Sequence, residues 1–332
     1  MIWKFHPLAK RKIWGGGTLQ SMYPVLADSV CNEDGPADDE IGEIWLLSGL
    51  PGSESVVSEG PDAGMSLSEL VSEYGERLLG RSVMSRYGDC FPLLVKFIDA
   101  ADDLSIQVHP DDGMAICQGL KWGKSEMWYV IGAEEGARLG VGFRCPQNPD
   151  YFRTLTDSED ICGSLRYTNV REGDLFYIPA GRIHVLGGGC KVLEIQQSLD
   201  VTYRLFDYHR IDADGREREL HTELGHRALN FNDTTGHSIP YDRKRPTALL
   251  AATPHFTIIR RALQAGESNV PEIIDSFRII IALKGSATIT DSDIRYKLYP
   301  GECVLLSSDS SPVIETTEGF EAVESYIETD IR

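Results

Sequence analysis

From residue 91 onward the chain is written in short, mostly apolar runs, each closed by glycine, proline or acidic residues. The runs at 93–98, 104–109, 127–131, 174–178 and 191–196 follow this pattern. Many short runs with turn signals between them predict the strands of a sandwich or barrel. Upstream, 43–48 (Glu-Ile-Trp-Leu-Leu-Ser) reads as a further strand, and the acidic, Gly- and Pro-containing stretch 32–40 reads as a loop. The clearest helical period covers 66–79. There Leu67, Leu70, Val71, Tyr74 and Leu78 recur at helical spacing, and Ser66 with Glu69 three residues on forms a capping box. Residues 201–245 are polar and helix-poor and read as a long excursion or linker. After Pro246 a second strand series begins, at 277–283, 286–290 and 301–306. Its order of strand, Lys-Gly, strand, Pro-Gly-Glu, strand repeats a similar order at 129–179, so the chain predicts two barrels of one type. The second copy has no histidine in its strands and hence no evident metal site. The expected organisation is a metal-binding catalytic unit over 1–245, with a short helical insertion near 66–79, and a degenerate barrel over 246–332.

Composition narrows the class without changing this picture. With 42% hydrophobic and 25% charged residues, the 332-residue chain can bury an ordinary core. The net charge of -19 argues against nucleic acid or an anionic membrane surface as partner, since both call for basic patches. It leaves room for an anionic small molecule, because a few lysines and arginines reverse the potential of one cleft. No run approaches the ~18 apolar residues of a membrane span, and the basic N-terminus lacks the apolar stretch of a secretory signal. The seven cysteines are scattered, with no CxxC pair. Reduced thiols in a cytoplasmic protein are expected. No protein partner is evident. Gly15-Gly16-Gly17 reads as a turn, since the GKS or GKT ending of a phosphate loop is missing.

The chemistry concentrates in Gly173-Asp-Leu-Phe-Tyr-Ile-Pro179-Ala-Gly181-Arg-Ile-His184. A strand ends in a Pro-Ala-Gly turn and the next begins with a histidine, which can point into a barrel. This G-x5-P-x-G-x2-H pattern resembles the second signature of the cupin superfamily, metal-binding double-stranded β-helices, although Gly188 stands where asparagine is usual. Gln107 and His109 are two apart on one strand face, and Glu126 follows in Gly123-Lys-Ser-Glu-Met-Trp-Tyr129. Together with His184 they supply two imidazoles, a carboxylate and an amide oxygen. Two histidines and one carboxylate suit Zn(II) and equally the Fe(II) facial triad. The fold class expected is therefore mainly β: two cupin-type (double-stranded β-helix, jelly-roll) barrels with a short helical element.

With these motifs in order, the chain resembles the class I mannose-6-phosphate isomerases of the short bacterial form, from Pro7 to about Glu223. The segments that carry the likeness are Ile13-Trp-Gly-Gly-Gly-Thr-Leu19, Gly42-Glu-Ile-Trp45, Leu94-Val-Lys-Phe97, Leu104-Ser-Ile-Gln-Val-His-Pro-Asp-Asp112, the Gly123 and Ile178-to-His184 motifs, and Glu194-Ile-Gln-Gln-Ser-Leu-Asp-Val-Thr-Tyr-Arg-Leu-Phe-Asp-Tyr208. The resemblance implies one Zn2+ per chain on His109, Glu126 and His184, with Gln107 as a fourth ligand in some members. It puts the active-site arginine on Arg204 and an acidic residue on Glu194, and places Lys96, Ser105, Lys124 and Trp14 along the pocket. The implied reaction moves a carbonyl between C1 and C2 of a phosphorylated hexose through an enediolate. A Lewis acid steadies the charged oxygen, Lys124 assists at an oxygen, Arg204 holds an anionic group bidentately, and Glu194 shuttles the proton. Other readings stand beside these. Glu194 is equally placed by sequence as a hydrogen-bond partner of a ligating histidine, and Lys96 and Arg204 as solvated ion pairs. The ligand set alone also permits an oxygenase-type cupin on another substrate, or a sugar-sensing cupin without turnover.

Overall fold

The computed structural model describes residues 1–156, 158–212 and 214–328. Two barrels stand side by side. The first joins a seven-stranded sheet to a five-stranded one. The large sheet runs Leu175–Ile178, Glu126–Ala133, Cys190–Gln197, Leu93–Asp99, Glu40–Leu47, Leu8–Lys12 and Cys31–Asp34. The small sheet runs Leu165–Asn169, Arg138–Phe143, His184–Leu186, Ile106–Val108 and Tyr203–Phe206. The second barrel has a six-stranded sheet, Ile2–Lys4, Cys303–Leu306, Arg278–Gly285, Phe320–Tyr326, Thr257–Leu263 and Thr247–Ala252, over a four-stranded one. Strand Ile2–Lys4 pairs with Cys303–Leu306, so the chain's first strand belongs to the second barrel rather than to the unit expected over 1–245.

The near-continuous apolar runs are explained by strands buried on both faces, each face with its own period of two. In Leu93–Asp99, the side chains of Leu93, Val95 and Phe97 enter the core shared by the two barrels, while Lys96 and Ile98 face the first barrel's lumen. Met127, Tyr129 and Ile131 alternate in the same way with Trp128 and Val130, and Leu193 and Ile195 with Val192 and Glu194. From the second barrel, Ile279, Ile281, Leu305 and Val323 meet them in the shared core, and Ile280, Ala282 and Ala322 fill its own lumen. The large sheet of the first barrel is thus roofed by the second barrel.

The expected helix over 66–79 begins as read: Ser66 accepts from Glu69 N, and the Glu69 carboxylate accepts from Ser66 N. It is not one helix, however. Gly75 sits at φ +49° and divides the segment into Leu67–Tyr74 and Glu76–Leu79, and Gly80 at φ +88° separates these from a further helix, Arg81–Tyr87. A β-carbon at Gly80 would lie 2.4 Å from the Asp275 carbonyl oxygen, so this glycine also permits the close approach of the second barrel. Residues 201–245 are not a linker either. They hold strand Tyr203–Phe206 and helix Thr222–Ala228, and they wall the cavity described below.

A chain ending near Arg245 is expected to be insoluble or to lose cooperative folding. Uncovering large core side chains costs about 1.5–3 kcal/mol each. A handful of those named above is enough to exhaust a typical stability of about 5–15 kcal/mol. Solubility and near-UV circular dichroism check this; a soluble, cooperatively melting, fully active truncation would refute it.

Candidate metal centre and active site

His184 opens its strand, His109 follows the end of Ile106–Val108, and Glu126 opens Glu126–Ala133 on the facing sheet. All three are buried, and their ligand atoms lie within 4.8 Å of one another. His109 Nε2 is 3.3 Å from one Glu126 oxygen, and His184 Nε2 is 3.4 Å from the other. The backbone decides the tautomers. His109 Nδ1 lies 3.0 Å from the Val201 carbonyl and His184 Nδ1 lies 2.9 Å from the Arg182 carbonyl. A carbonyl only accepts, so each Nδ1 carries the proton and each Nε2 presents a lone pair to the centre. Such carbonyl partners orient and strengthen metal-ligating imidazoles.

Among the described residues, His109 Nε2 and both Glu126 oxygens are buried without a hydrogen-bond partner. A carboxylate and an imidazole lone pair left this way cost several kcal/mol (roughly 1–3 each, more for the charge) unless a cation meets them. The donor set is that of a divalent ion. Burial opposes charge on Glu126, but Lys124 and the two histidines outweigh it and hold its pKa low. Burial pushes His109 down to about 3, with Lys124 adding to it, and burial pushes His184 down too. The site therefore presents an ionised carboxylate and neutral imidazoles, the forms a metal binds. Gln107 Nε2 donates toward His184 Nε2 at 3.1 Å, and Ser105 Oγ donates to Gln107 Oε1 at 3.0 Å. A half-turn of the amide would bring Oε1 to the centre as a fourth ligand.

Beside these three residues lies a cavity of about 420 Å³. Trp14, Lys96, Ser105, Gln107, Lys124, Glu194 and Arg204 all line it, so the ten residues singled out from sequence converge on one place. Strand register does this. Arg204, Gln107 and His184 are consecutive cross-strand partners on the small sheet, and Lys96, Glu194 and Trp128 on the large one. Lys124 Nζ stands 3.3 Å from Glu126.

Glu194 is not tied to a ligating histidine. Its Oε2 accepts from Trp128 Nε1 at 2.6 Å, and its Oε1 is 3.0 Å from Lys96 Nζ. Burial and the nearby Glu126 raise its pKa, against the pull of Lys96 and Lys124. Glu43, on the other side of Lys96 at 3.8 Å, goes the opposite way. Burial is outweighed there by Lys12 and Lys96, and its pKa falls to about 2. Burial works against charge on Lys96, but Glu194 and Glu43 together raise its pKa. Lys96 is therefore a buried ion pair rather than a solvated one. Two neighbouring carboxylates with pKa values driven apart suit different roles: Glu43 a fixed charge, Glu194 a group able to exchange a proton. Arg204 is half-buried. Its Nη1 donates to the Glu219 carbonyl at 2.7 Å, and its Nε is buried without a hydrogen-bond partner among the described residues.

Lys12, Glu43, Trp128, Arg218 and His221 also line the cavity and were not singled out from sequence. Glu43 and Trp128 lay inside the quoted motifs, and their alternation with outward-facing residues was the available signal. Arg218 had none, because it comes from the polar stretch read as a linker. The buried Asp207 holds its guanidinium, accepting from Arg218 Nε at 2.6 Å and Nη2 at 2.5 Å.

Comparison with known proteins adds to this geometry. Residues 2–124 match the catalytic domain of type I phosphomannose isomerase. The mannose-6-phosphate isomerase of Streptococcus mutans is 34% identical over 298 residues, 89% of each chain. Mannose-6-phosphate isomerase ManA of Bacillus subtilis is 31% identical, over 91% of both chains. The crystal structure of a Bacillus subtilis mannose 6-phosphate isomerase superposes with a TM-score of 0.85 at 29% identity, covering 98% of this chain and 99% of that one. Among the described residues, no helix is long and apolar enough to cross a membrane.

Proposed function

The chain belongs to the type I mannose-6-phosphate isomerase family, and on that premise we propose that it interconverts mannose 6-phosphate and fructose 6-phosphate with one zinc ion held by His109, Glu126 and His184, Gln107 joining them as a fourth ligand. The observation that carries this reading is the pairing of a buried, hydrogen-bond-poor carboxylate and two Nε2 lone pairs with a cavity rich in cations. That ion, when bound, would supply Lewis-acid stabilisation of the negative charge on the C1 and C2 oxygens of the enediolate.

The protein's own groups do the rest. Arg204 and Arg218 converge on the cavity and hold the anionic substrate, Arg204 with its planar fork. Lys124 places a positive charge at the substrate oxygen nearest the ligands. Glu194 takes the proton from C2 of the aldose and returns it to C1 while the hydroxyl proton passes from O2 to O1, giving the ketose; the reverse path uses the same carboxylate. Trp128 and Lys96 fix the position of both its oxygens and so keep it from rotating away from the carbon. Ser105 orients the Gln107 amide, and Trp14 closes the lumen against water. The cationic walls favour a phosphorylated substrate over the neutral ones open to an oxygenase-type cupin. The enclosed acid–base pair suits turnover rather than sensing. The protein acts within a cytoplasm, where hexose phosphates are kept.

Metal-loaded protein is expected to convert mannose 6-phosphate to fructose 6-phosphate in a coupled assay and to leave unphosphorylated mannose almost untouched. Oxygen consumption, or binding of the sugar phosphate without product, would overturn the proposal.

A further inference from the structure

The six-stranded sheet of the second barrel repeats, over five strands, the order of the first barrel's large sheet, and the register makes the match residue-specific. Glu126 opens one strand and Arg278 opens its counterpart. Glu194 pairs with Trp128, two residues beyond Glu126; Glu324 pairs with Ile280, two beyond Arg278. On their other sides Glu194 pairs with Lys96 and Glu324 with Ile259. One strand further, Glu43 pairs with Ile98 as Thr247 pairs with Arg261. Arg278 therefore stands where the first barrel has its ligand carboxylate, Glu324 stands where it has Glu194, and Arg261 replaces Ile98.

At this place the second barrel also has a cavity, of about 380 Å³, which Arg261, Arg278 and Glu324 line. These three are buried, at 6%, 5% and 0% exposure. Each Glu324 oxygen bridges to one guanidinium. Arg261 Nη1 also donates to Asn269 Oδ1 at 3.0 Å, and Arg278 Nη2 to the Glu272 carbonyl at 2.5 Å. Two buried cations share one buried anion. Among the described residues, the only other carboxylate on the cavity wall, that of Glu272, is exposed and screened by water. Burial and the like charge of Arg261 push Arg278 down to about 10. A bridge built only for support needs one cation per anion; an extra buried guanidinium is costly without a counter-charge. Among the described residues, Arg261 Nη2 and Arg278 Nε donate to no protein acceptor. The remaining wall is largely apolar, with Ile259, Ile274 and Tyr326.

We propose that this cavity is a second ligand site, one that binds a small singly charged carboxylate with an apolar body and needs no metal. The carboxylate takes the free donors of Arg261 and Arg278, whose planar forks match its geometry. One negative charge balances the buried excess, which a phosphate dianion would exceed. The apolar body lies against Ile259, Ile274 and Tyr326.

Calorimetric titration of the metal-loaded full chain with benzoate tests this, with benzamide as the neutral isostere. The comparison protein carries Arg261→Met, Arg278→Met and Glu324→Met together, which removes the charges without leaving one unpaired. Wild type is expected to bind benzoate 1:1 and benzamide not at all, and the triple variant to bind benzoate at least about 10-fold more weakly. Its metal content should be unchanged, since the first barrel is untouched. Equal affinity in the triple variant would put benzoate on the first barrel's metal and overturn the proposal. So would absence of binding up to about 10 mM, or inorganic phosphate displacing benzoate at lower concentration. A second measurement needs no variant: in wild-type protein labelled with 15N-arginine, benzoate should shift two buried side-chain Nε signals. If no arginine signal moves, the site does not exist.

Discussion

Stripping the metal from the protein is expected to lower isomerase turnover by at least about 10³-fold, the several kcal/mol that a Lewis acid contributes at a developing oxyanion. Dialysis against a chelator, metal analysis and re-addition of Zn2+ make the measurement. Recovery at one equivalent per chain is the expected result. The same treatment should lower the melting temperature by about 4 °C when the ion had been held at ~100 times its dissociation constant. The physical reason is local. Without the ion, the Glu126 carboxylate is fully buried with Lys124 as its charged neighbour and no hydrogen bond among the described residues. Glu126→Gln removes the charge and keeps the shape, so it should lose the metal and the activity while losing less stability than the stripped wild type. Full activity in a metal-free preparation would refute the centre.

Replacing Arg204 by alanine is expected to lower kcat/KM by roughly 10²-fold or more, the size of a lost electrostatic contact in the transition state. Arg204→Lys should also be impaired, since it keeps the charge but loses the fork. Burial and the nearby Arg218 lower the Arg204 pKa, so the guanidinium waits in surroundings that disfavour its charge. Its main anchor is a backbone carbonyl rather than a carboxylate, with one buried nitrogen unspent. An anionic substrate supplies what is missing only when it is bound. Metal content should be unchanged, because Arg204 is the cross-strand neighbour of Gln107 and not one of the ligands. Kinetics within a factor of about three of wild type, or loss of the metal, would remove Arg204 from this role.

Sequence alone determined the elements whose signal is local. The strand runs, the capping box at Ser66 and the turn from Pro179 to His184 are written within a few residues, and the structure places each where its pattern says. The cluster proposed to hold the metal, His109, Glu126 and His184, was legible as a candidate because the chemistry of a metal site restricts residue types as well as spacing, and a resemblance spread over many segments supplied their order. What the tertiary structure decided depends on partners far away in the chain. Gly75, at positive φ, broke the predicted helix in two, and Gly80 ended its second part where the second barrel packs against that segment, which no helical period records. Ile2–Lys4 left the first barrel for the second because its pairing partner, Cys303–Leu306, lies at the other end of the chain. Residues 201–245 looked like a linker because a wall facing a polar cavity is itself polar, so its hydrophobic pattern is weak. Arg218 reaches the site only because Asp207, eleven residues earlier, accepts its guanidinium. The opposed charge preferences of Glu43 and Glu194 were likewise beyond sequence. Both are carboxylates on strands, and only the placement of Lys12, Lys96 and Glu126 around them, with water excluded, drives their pKa values in opposite directions.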